Sequence, residues 1–587
     1  MRFFILLGTG CLLVASALLM AIYGATPYAA VARLGQVPYY EVVPDGPIRL
    51  VLALTPGRYA AYRAGGWALV GGTLLGALAL LRHAAYRREL RRLGQEARRA
   101  GTALRRTVGR LSGAERAGAG ALFLGLGLTW GAWLLLDPPS PDEIASYDSF
   151  TREGVVAVTS FYPMPNNHVG YNLLAWALEQ LLPGQARLVM RLPSLLAALA
   201  GTALSYALLA HFRSFRTATL VVALFGFTKV AIIYAAAGRG YYVQLGCMQL
   251  AFFAAVGLAS GPRYRRLGWV VFVGSSVAGL YTIPTFAAPL VVLGAVLAGA
   301  ALGRPPALRY RFWGQLVAAG TVVVATAAVL YAPVGCVSGW GLLLANRYVV
   351  AQPLATFWAL GPAVLYETAG MLLGPVRPGL LLSAALVALV PLTLQRGGPA
   401  QWPARAWWLA WASWALLVGP VALALAQRVF VPARALMYAT FFLYLLAALG
   451  ADWTTTRWRG RWAAWAPLAL LVGLLAFRGW ELYDQVPALR TSHAEDLAVT
   501  RAYRWLRAQP PGPAVVGAPY HELMFDHYAL LNGTPRLLHA RPVAGVRYPY
   551  LVWPQGSTPR PAWAAALPYQ VAYHDELVVI YALPPAR

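Results

Sequence analysis

Apolar residues come in long blocks along most of the chain, many of them approaching the roughly 20 positions that carry a helix across a bilayer core. The polar positions between the blocks are short and rich in arginine. This patterning predicts membrane helices at 3–23, 66–82, 117–136, 192–211, 217–236, 240–259, 268–281, 285–302, 315–334, 379–394, 406–426, 435–451 and 463–478. That is a polytopic all-α membrane protein of about thirteen transmembrane helices. The clusters "RHAAYRRELRRLGQEARRAGTALRRTVGR", "RSFR", "PRYRRLG", "RPPALRYRFWG", "QRGGPAQWPARA" and "TTTRWRGR" then all fall on one side. The positive-inside rule expects such clusters in cytoplasmic loops.

Three external segments remain, at roughly 24–65, 137–191 and 335–378, with short external turns at 237–241 and 427–434. The arginine-rich stretch 83–113 has helical spacing and alternates charge with small or apolar residues. It is expected to lie on the inner leaflet, where each arginine is worth roughly 1 kcal/mol against anionic lipid. After residue 479 the hydropathy drops. "HAEDLAVTRAYRWLRAQ" reads as an amphipathic helix, "PAVVGA" as a short buried strand, "YHELMFDHYALLNG" as a second helix and "DELVVIYAL" as a last strand. The expected organisation is a two-helix addition with its basic surface helix (1–113), a membrane core with the external loop 137–191 (114–478), and a small extracytoplasmic α/β domain (479–587).

Composition narrows the class. Of 587 residues, 59% are hydrophobic and only 12% charged, about half the charged share of a soluble chain. The net charge of +27 sits in the inter-helix clusters, so it reads as topology and headgroup contact, and no nucleic-acid partner is expected. Cys11, Cys247 and Cys336 have no paired spacing and lie in or beside apolar runs, giving neither a disulfide framework nor a metal knuckle. The first apolar run exceeds a usual signal core and is taken as a first membrane helix. Arginine-heavy usage rich in Ala, Gly and Leu points to a GC-rich bacterial genome, and hence to the bacterial cytoplasmic membrane.

The few acids gather in "PDEIASYDSFTREGVVAVTSFYPMPNNHVGYN", residues 141–172. The prolines of "DPPSP" end the preceding helix and force an extended exit. Asp142 and Glu143 then open a short helix, where an anion is favoured. Asp142 is the candidate general base and Glu143 its alternative, or a partner holding the acceptor; the plain alternative is a helix cap. Asn166, Asn167 and His168 can hydrogen-bond sugar hydroxyls or phosphate oxygens, or simply satisfy loop backbone. Arg239 and Arg434, at external helix ends, suit phosphate oxygens, although arginines there also snorkel to headgroups. Tyr241 and Tyr242 are candidate sugar-stacking rings or interfacial anchors. No tight His/Asp/Glu spacing marks a metal, and none is expected, nor any other cofactor.

The "DE" after the first core helix, the "PNNH-x-x-Y" element, "RLPSLLAALAG", "AAAGRGYYVQLGCMQL", "GLYTIPTFAAPLVVLGA" and "VFVPARALMYATFFLYLL" occur in an order that resembles the glycosyltransferase C (GT-C) superfamily. The nearest branch is the protein mannosyltransferase and aminoarabinose transferase-like group, and the resemblance covers roughly 115–480. Ala435 departs from that group's pattern, where an aromatic more often follows the arginine. The resemblance implies a polyprenyl-phosphate-linked sugar as donor, inversion at the anomeric carbon, and Asp142 as the base that deprotonates an acceptor hydroxyl on a lipid, glycan or protein. Within the class, an oligosaccharyl or polymer-elongating transferase is the alternative. Outside it, a lipid-linked sugar flippase or transporter would need ionisable or helix-breaking groups at mid-membrane.

Overall fold

A computed structural model describes the chain except for residues 40–47, 345–348, 375–378, 382, 389, 392–402, 458–460, 534–537, 540, 557–559, 561 and 585–587. Among the described residues nine helices are long and apolar enough to cross a bilayer: Arg2–Tyr23, Pro56–Arg82, Gly113–Leu136, Ala186–Phe212, Tyr241–Ser260, Pro284–Leu302, Pro306–Val337, Ala404–Gln427 and Ala433–Trp453. A tenth span is broken. Phe215–Gly226 and Lys229–Ala236 meet at 74°, because Thr228 caps the second piece, its hydroxyl accepting the Ala231 N–H. The chain is thus a multi-pass α-helical membrane protein, as its apolar blocks predict.

Several elements depart from the expected ones. The expected 66–82 helix starts at Pro56, ten positions earlier, with Thr55 accepting from the Arg58 N–H at its N-cap; the polar "GRYAAYRAGG" hid this first stretch. The expected 268–281 helix is Arg265–Thr282, but its leading arginines and small residues leave it less apolar than a span. Of 379–394, a short apolar helix at Gly379–Ala388 is seen and residues 392–394 lie outside the described residues. The expected 463–478 span does not stop there. It continues from Arg461 to Ala508 as one helix of 48 residues, so the expected domain boundary at 479 falls inside a continuous helix.

Strands β1 (Pro38–Tyr39) and β2 (Ile48–Arg49) form an antiparallel pair, and in the C-terminal region β3 (Ala514–Val516), β4 (Leu538–His539), β5 (Tyr550–Pro554), β6 (Gln570–His574) and β7 (Val578–Ala582) build a five-stranded sheet with order β4-β3-β5-β7-β6. β3 runs parallel to β4 and β5, while β7 runs antiparallel to β5 and β6. Side chains alternate faces along a strand. Val552 and Ile580 therefore pack with Met524 and Phe525 on one face, while Leu551 packs with Tyr548 and Tyr569 on the other.

This region closes over the loop that follows the Gly113–Leu136 helix. Ile144 of the loop is fully buried in the apolar cluster that also holds Val499, Phe525 and Val552. Beside it, the buried Asp148 carboxylate meets His527 Nδ1 at 2.9 Å. Asp526, next in chain, has its carboxyl pushed up to about 8, first by burial and then by the charges of Glu522 and Asp148. An acid whose folded value lies above its ordinary value near 4 holds its proton better when folded. Its contribution is therefore complete below about pH 4 and lost as the pH climbs through about 8. Asp526→Asn should match the wild type in thermal unfolding at or below about pH 4 and exceed it by at least about 1 kcal/mol at pH 9; equal stability at both pH values would contradict this reading.

Candidate active site

The loop between the Gly113–Leu136 and Ala186–Phe212 helices is built of short pieces. A helix at Pro141–Ser146 runs into a single π-turn at Tyr147–Thr151, followed by helices at Val155–Ser160 and Val169–Glu179. Ser140 and Glu143 form a capping box that starts the first piece, with Glu143 Oε2 accepting the Ser140 N–H at 2.8 Å.

Glu143 is only 2% exposed and faces inward. Its Oε1 accepts from Arg191 Nε at 2.8 Å and its Oε2 from Arg191 Nη2 at 3.0 Å. Oε1 also takes the Gly238 N–H at 2.5 Å. Burial pushes the Glu143 carboxyl up, but the Arg191 charge and these hydrogen bonds outweigh it and hold the carboxyl below its ordinary range. Arg191 is completely buried and spends its remaining donors on the carbonyls of Leu134, Asp137 and Pro138. With both carboxylate oxygens engaged, Glu143 is placed to position its neighbours, whereas the sequence allowed it as an alternative base.

One residue earlier, Asp142 looks the other way. Its carboxylate is 46% exposed, and its Oδ2 lies 3.7 Å from Arg239 Nη2 and 3.9 Å from Arg434 Nη2. Arg239 reaches this point from the break between the Lys229–Ala236 and Tyr241–Ser260 helices, in the sequence "GRG". Both glycines are there because the backbone presses close. A Cβ at Gly238 would come within 2.6 Å of the Met190 carbonyl, and one at Gly240 within 2.9 Å of Thr282 and 3.0 Å of Tyr171. The Gly238 N–H goes to Glu143 and the Gly240 N–H to His168 Nδ1 at 3.1 Å. Ser194, three residues after Arg191 on the same helix, donates to the Arg239 carbonyl at 2.8 Å.

Around the Arg239 guanidinium stand Asn166, whose Oδ1 accepts from Nη1, and His168, whose Nε2 is 3.3 Å from Nη2. Burial first, then the charges of Arg239 and Arg434, hold His168 well below its ordinary value, so it is neutral. Because its Nδ1 accepts from Gly240, its proton belongs on Nε2. Two donors, His168 Nε2–H and Arg239 Nη2–H, therefore face each other, and Arg239 Nε is buried with no partner among the described residues. Donors crowded in this way are completed by an anion. Tyr241 packs edge-on against His168 with ring centroids 5.1 Å apart.

The other sequence candidates lie elsewhere. Asn167 donates to the Val158 and Phe161 carbonyls and accepts from Asn172, so it ties loop backbone. Tyr242, one residue on from Tyr241 and hence turned about 100° around the helix, is buried against Trp130 and Phe225 in the span core. It shares no surface with Asp142. The structure thus gathers Asp142, Asn166, His168, Arg239, Tyr241 and Arg434, and sets Glu143, Asn167 and Tyr242 behind them. Sequence reading passed over Arg191 as a helix-start arginine and Asp137 altogether. Burial raises the Asp137 carboxyl to about 6 despite nearby Arg191. Among the described residues no three His, Cys, Asp or Glu side chains are close enough to share a metal ion.

No family model and no curated protein sequence matches the chain. Among solved structures it is similar to ArnT from Cupriavidus metallidurans bound to undecaprenyl phosphate, with a TM-score of 0.49 and 14% identity over 80% of this chain and 99% of that one. The same protein in its apo state gives a TM-score of 0.47 at 14% identity, over 80% of this chain and 100% of that one.

Two adjacent acids with opposite surroundings should respond oppositely to neutralisation. Glu143→Gln strands the buried Arg191 charge and should cost about 3–5 kcal/mol in detergent unfolding. Asp142→Asn, at a half-exposed carboxylate, should stay within about 0.5 kcal/mol of the wild type. Equal losses would mean that both acids are structural.

Proposed function

We propose that this protein is an inverting glycosyltransferase of the GT-C type, moving a sugar from a polyprenyl-phosphate donor to an acceptor hydroxyl at the outer face of the bacterial cytoplasmic membrane. The observation that carries the reading is the Asp142 carboxylate, open to solvent and 3.7 and 3.9 Å from two guanidiniums at helix ends. The order of motifs along the chain supports it independently. On this reading residues 1–113 are an addition to a catalytic core at 114–478, and residues 479–587 form an extracytoplasmic domain over the site.

In the proposed reaction Asp142 accepts the proton of the acceptor hydroxyl as its oxygen bonds to the anomeric carbon. The bond from that carbon to the phosphate oxygen breaks on the opposite side, so the configuration inverts. The donor phosphate is already a phosphodiester anion, and it leaves as the phosphomonoester dianion of the polyprenyl chain, which needs positive charge rather than a proton. Arg239 and Arg434 would supply the charge, with His168 Nε2–H as a third donor. Both guanidiniums pair with the Asp142 carboxylate at ion-pair distance, and a phosphate entering between them would draw their charge away and leave the carboxylate free to act as base. Asn166 would hold the Arg239 fork in plane, and Tyr241 would offer a ring edge to the sugar. Glu143, Arg191 and Asn167 position this set. The isoprenoid tail would follow an apolar groove of about 640 Å³ lined by Leu280, Pro284, Leu290 and Tyr331. This groove begins next to Thr282, which packs at Gly240.

The test uses membranes containing the full chain and the sugar-lipid that copurifies with it, its sugar identified by mass spectrometry. Asp142→Asn should reduce label transfer at least about 100-fold while the donor still binds. Arg239→Gln and Arg434→Gln should mainly weaken donor binding. Near-normal transfer by Asp142→Asn would remove the aspartate from this role, and movement of the sugar-lipid across proteoliposomes without transfer would replace the enzyme with a flippase.

A further inference from the structure

The opposite, arginine-rich end of the bundle carries a second cavity, of about 560 Å³, far from Asp142. Its roof is the Ala84–Gly109 helix, which contributes Ala97, Gly101 and Leu104. Its walls come from the Ala186–Phe212, Tyr241–Ser260 and Arg265–Thr282 helices. The roof is fastened at both ends. Glu96 Oε2 accepts the backbone N–H groups of Arg266 and Leu267 at 2.8 and 3.0 Å, and Glu89 accepts from Arg266 Nε at 2.6 Å. At its far end the Thr107 hydroxyl meets His211 Nδ1 at 2.9 Å.

These contacts consume the carboxylates of the roof. Two arginines at the cavity, Arg263 and Arg405, are left with aromatic neighbours only: Arg263 over Tyr264 at 5.3 Å and Arg405 over Phe212 at 5.3 Å. Among the described residues neither makes an ion pair. Small residues hold the space open, since a Cβ at Gly101, Gly257 or Gly261 would meet nothing within 4 Å. The volume lies within the range of about 300–1,000 Å³ typical of ligand sites. An apolar chamber with two uncompensated cations at its edge, at the end of the bundle that faces an anionic leaflet, matches a molecule with an acyl chain and a negative headgroup.

We propose that this cavity is a binding site for an anionic phospholipid, one acyl chain lying between the roof helix and the bundle and the headgroup phosphate between Arg263 and Arg405. The lipid then cements the Ala84–Gly109 helix to the core, and the roof helix is held by a bound molecule as well as by general attraction to the membrane surface.

The site can be read by native mass spectrometry of the full-length protein in detergent with equimolar phosphatidylglycerol and phosphatidylcholine of identical chains. The wild type should retain phosphatidylglycerol preferentially. Arg263→Gln with Arg405→Gln should reduce that preference at least about tenfold, the scale expected for two headgroup charges, while Arg98→Gln with Arg99→Gln, exposed on the roof, should keep it. Gly101→Leu fills the chamber without touching charge, and should abolish retention with no fall in unfolding temperature. Unchanged preference in the double variant, or unchanged retention in Gly101→Leu, overturns the proposal. So does displacement by soluble glycerol phosphate, which would make it an anion site only, or by undecaprenyl phosphate at lower concentration, which would make it a polyprenyl site.

Discussion

The arrangement around the loop depends on the buried pair of Glu143 and Arg191. Removing two charges from water costs several kcal/mol each, and Coulomb attraction repays this only where geometry is good and the other polar atoms are satisfied. Here both conditions hold. The pair is bidentate, and Arg191 and Glu143 also collect three carbonyls and two backbone N–H groups between them. It fastens the exit of one span, the start of the next and the turn that leads into the Tyr241–Ser260 helix. Because Gly238 is bound to Glu143, Arg239 starts from a fixed backbone, and because Asp142 precedes Glu143 on the same short helix, its carboxylate faces that arginine. A buried ion pair thereby sets the position of the half-exposed one beside it.

That logic explains which parts of the site were legible in the sequence. Asp142 could be found because acids are few and this one follows helix-ending prolines. Arg239 could be found because two glycines flank an arginine at a helix break, a pattern that requires close backbone approach. The division of labour between Asp142 and Glu143 was not legible, since it depends on Arg191, 48 positions further on, and an arginine at a helix start reads the same whether it is buried or snorkelling. Tyr241 and Tyr242 were equally plausible as a pair of rings, and only the rotation of the helix separated them.

The fold shows a similar division. Apolar blocks mark the centres of spans well, because burial in lipid leaves few substitutions open. They mark ends poorly, because a helix can continue through polar residues once it leaves the bilayer. Pro56–Tyr62 ahead of one span and the long run from Arg461 to Ala508 were both obscured in this way. The break at Thr228 was also silent, since the apolar runs on either side of Thr228 and Lys229 together read as one span.

The two ends of the molecule solve opposite electrostatic problems with the same residue. At the loop end Arg191 is matched by a carboxylate and three carbonyls, while Arg239, set among Asp142, Asn166 and His168, keeps a buried Nε with no partner among the described residues. At the other end arginines outnumber acids, and the excess is directed outward to the membrane surface or into the chamber beneath the roof helix. Unpaired donors in a low-dielectric setting are costly unless something completes them. Arg239 beside Asp142, and Arg263 and Arg405 at the chamber, are the cations on which the two proposed anion sites rest. On the proposed reading, the first receives a phosphate that arrives and leaves, with a half-exposed carboxylate next to it. The other is closed by Glu89, Glu96 and Thr107 and suits a molecule that stays.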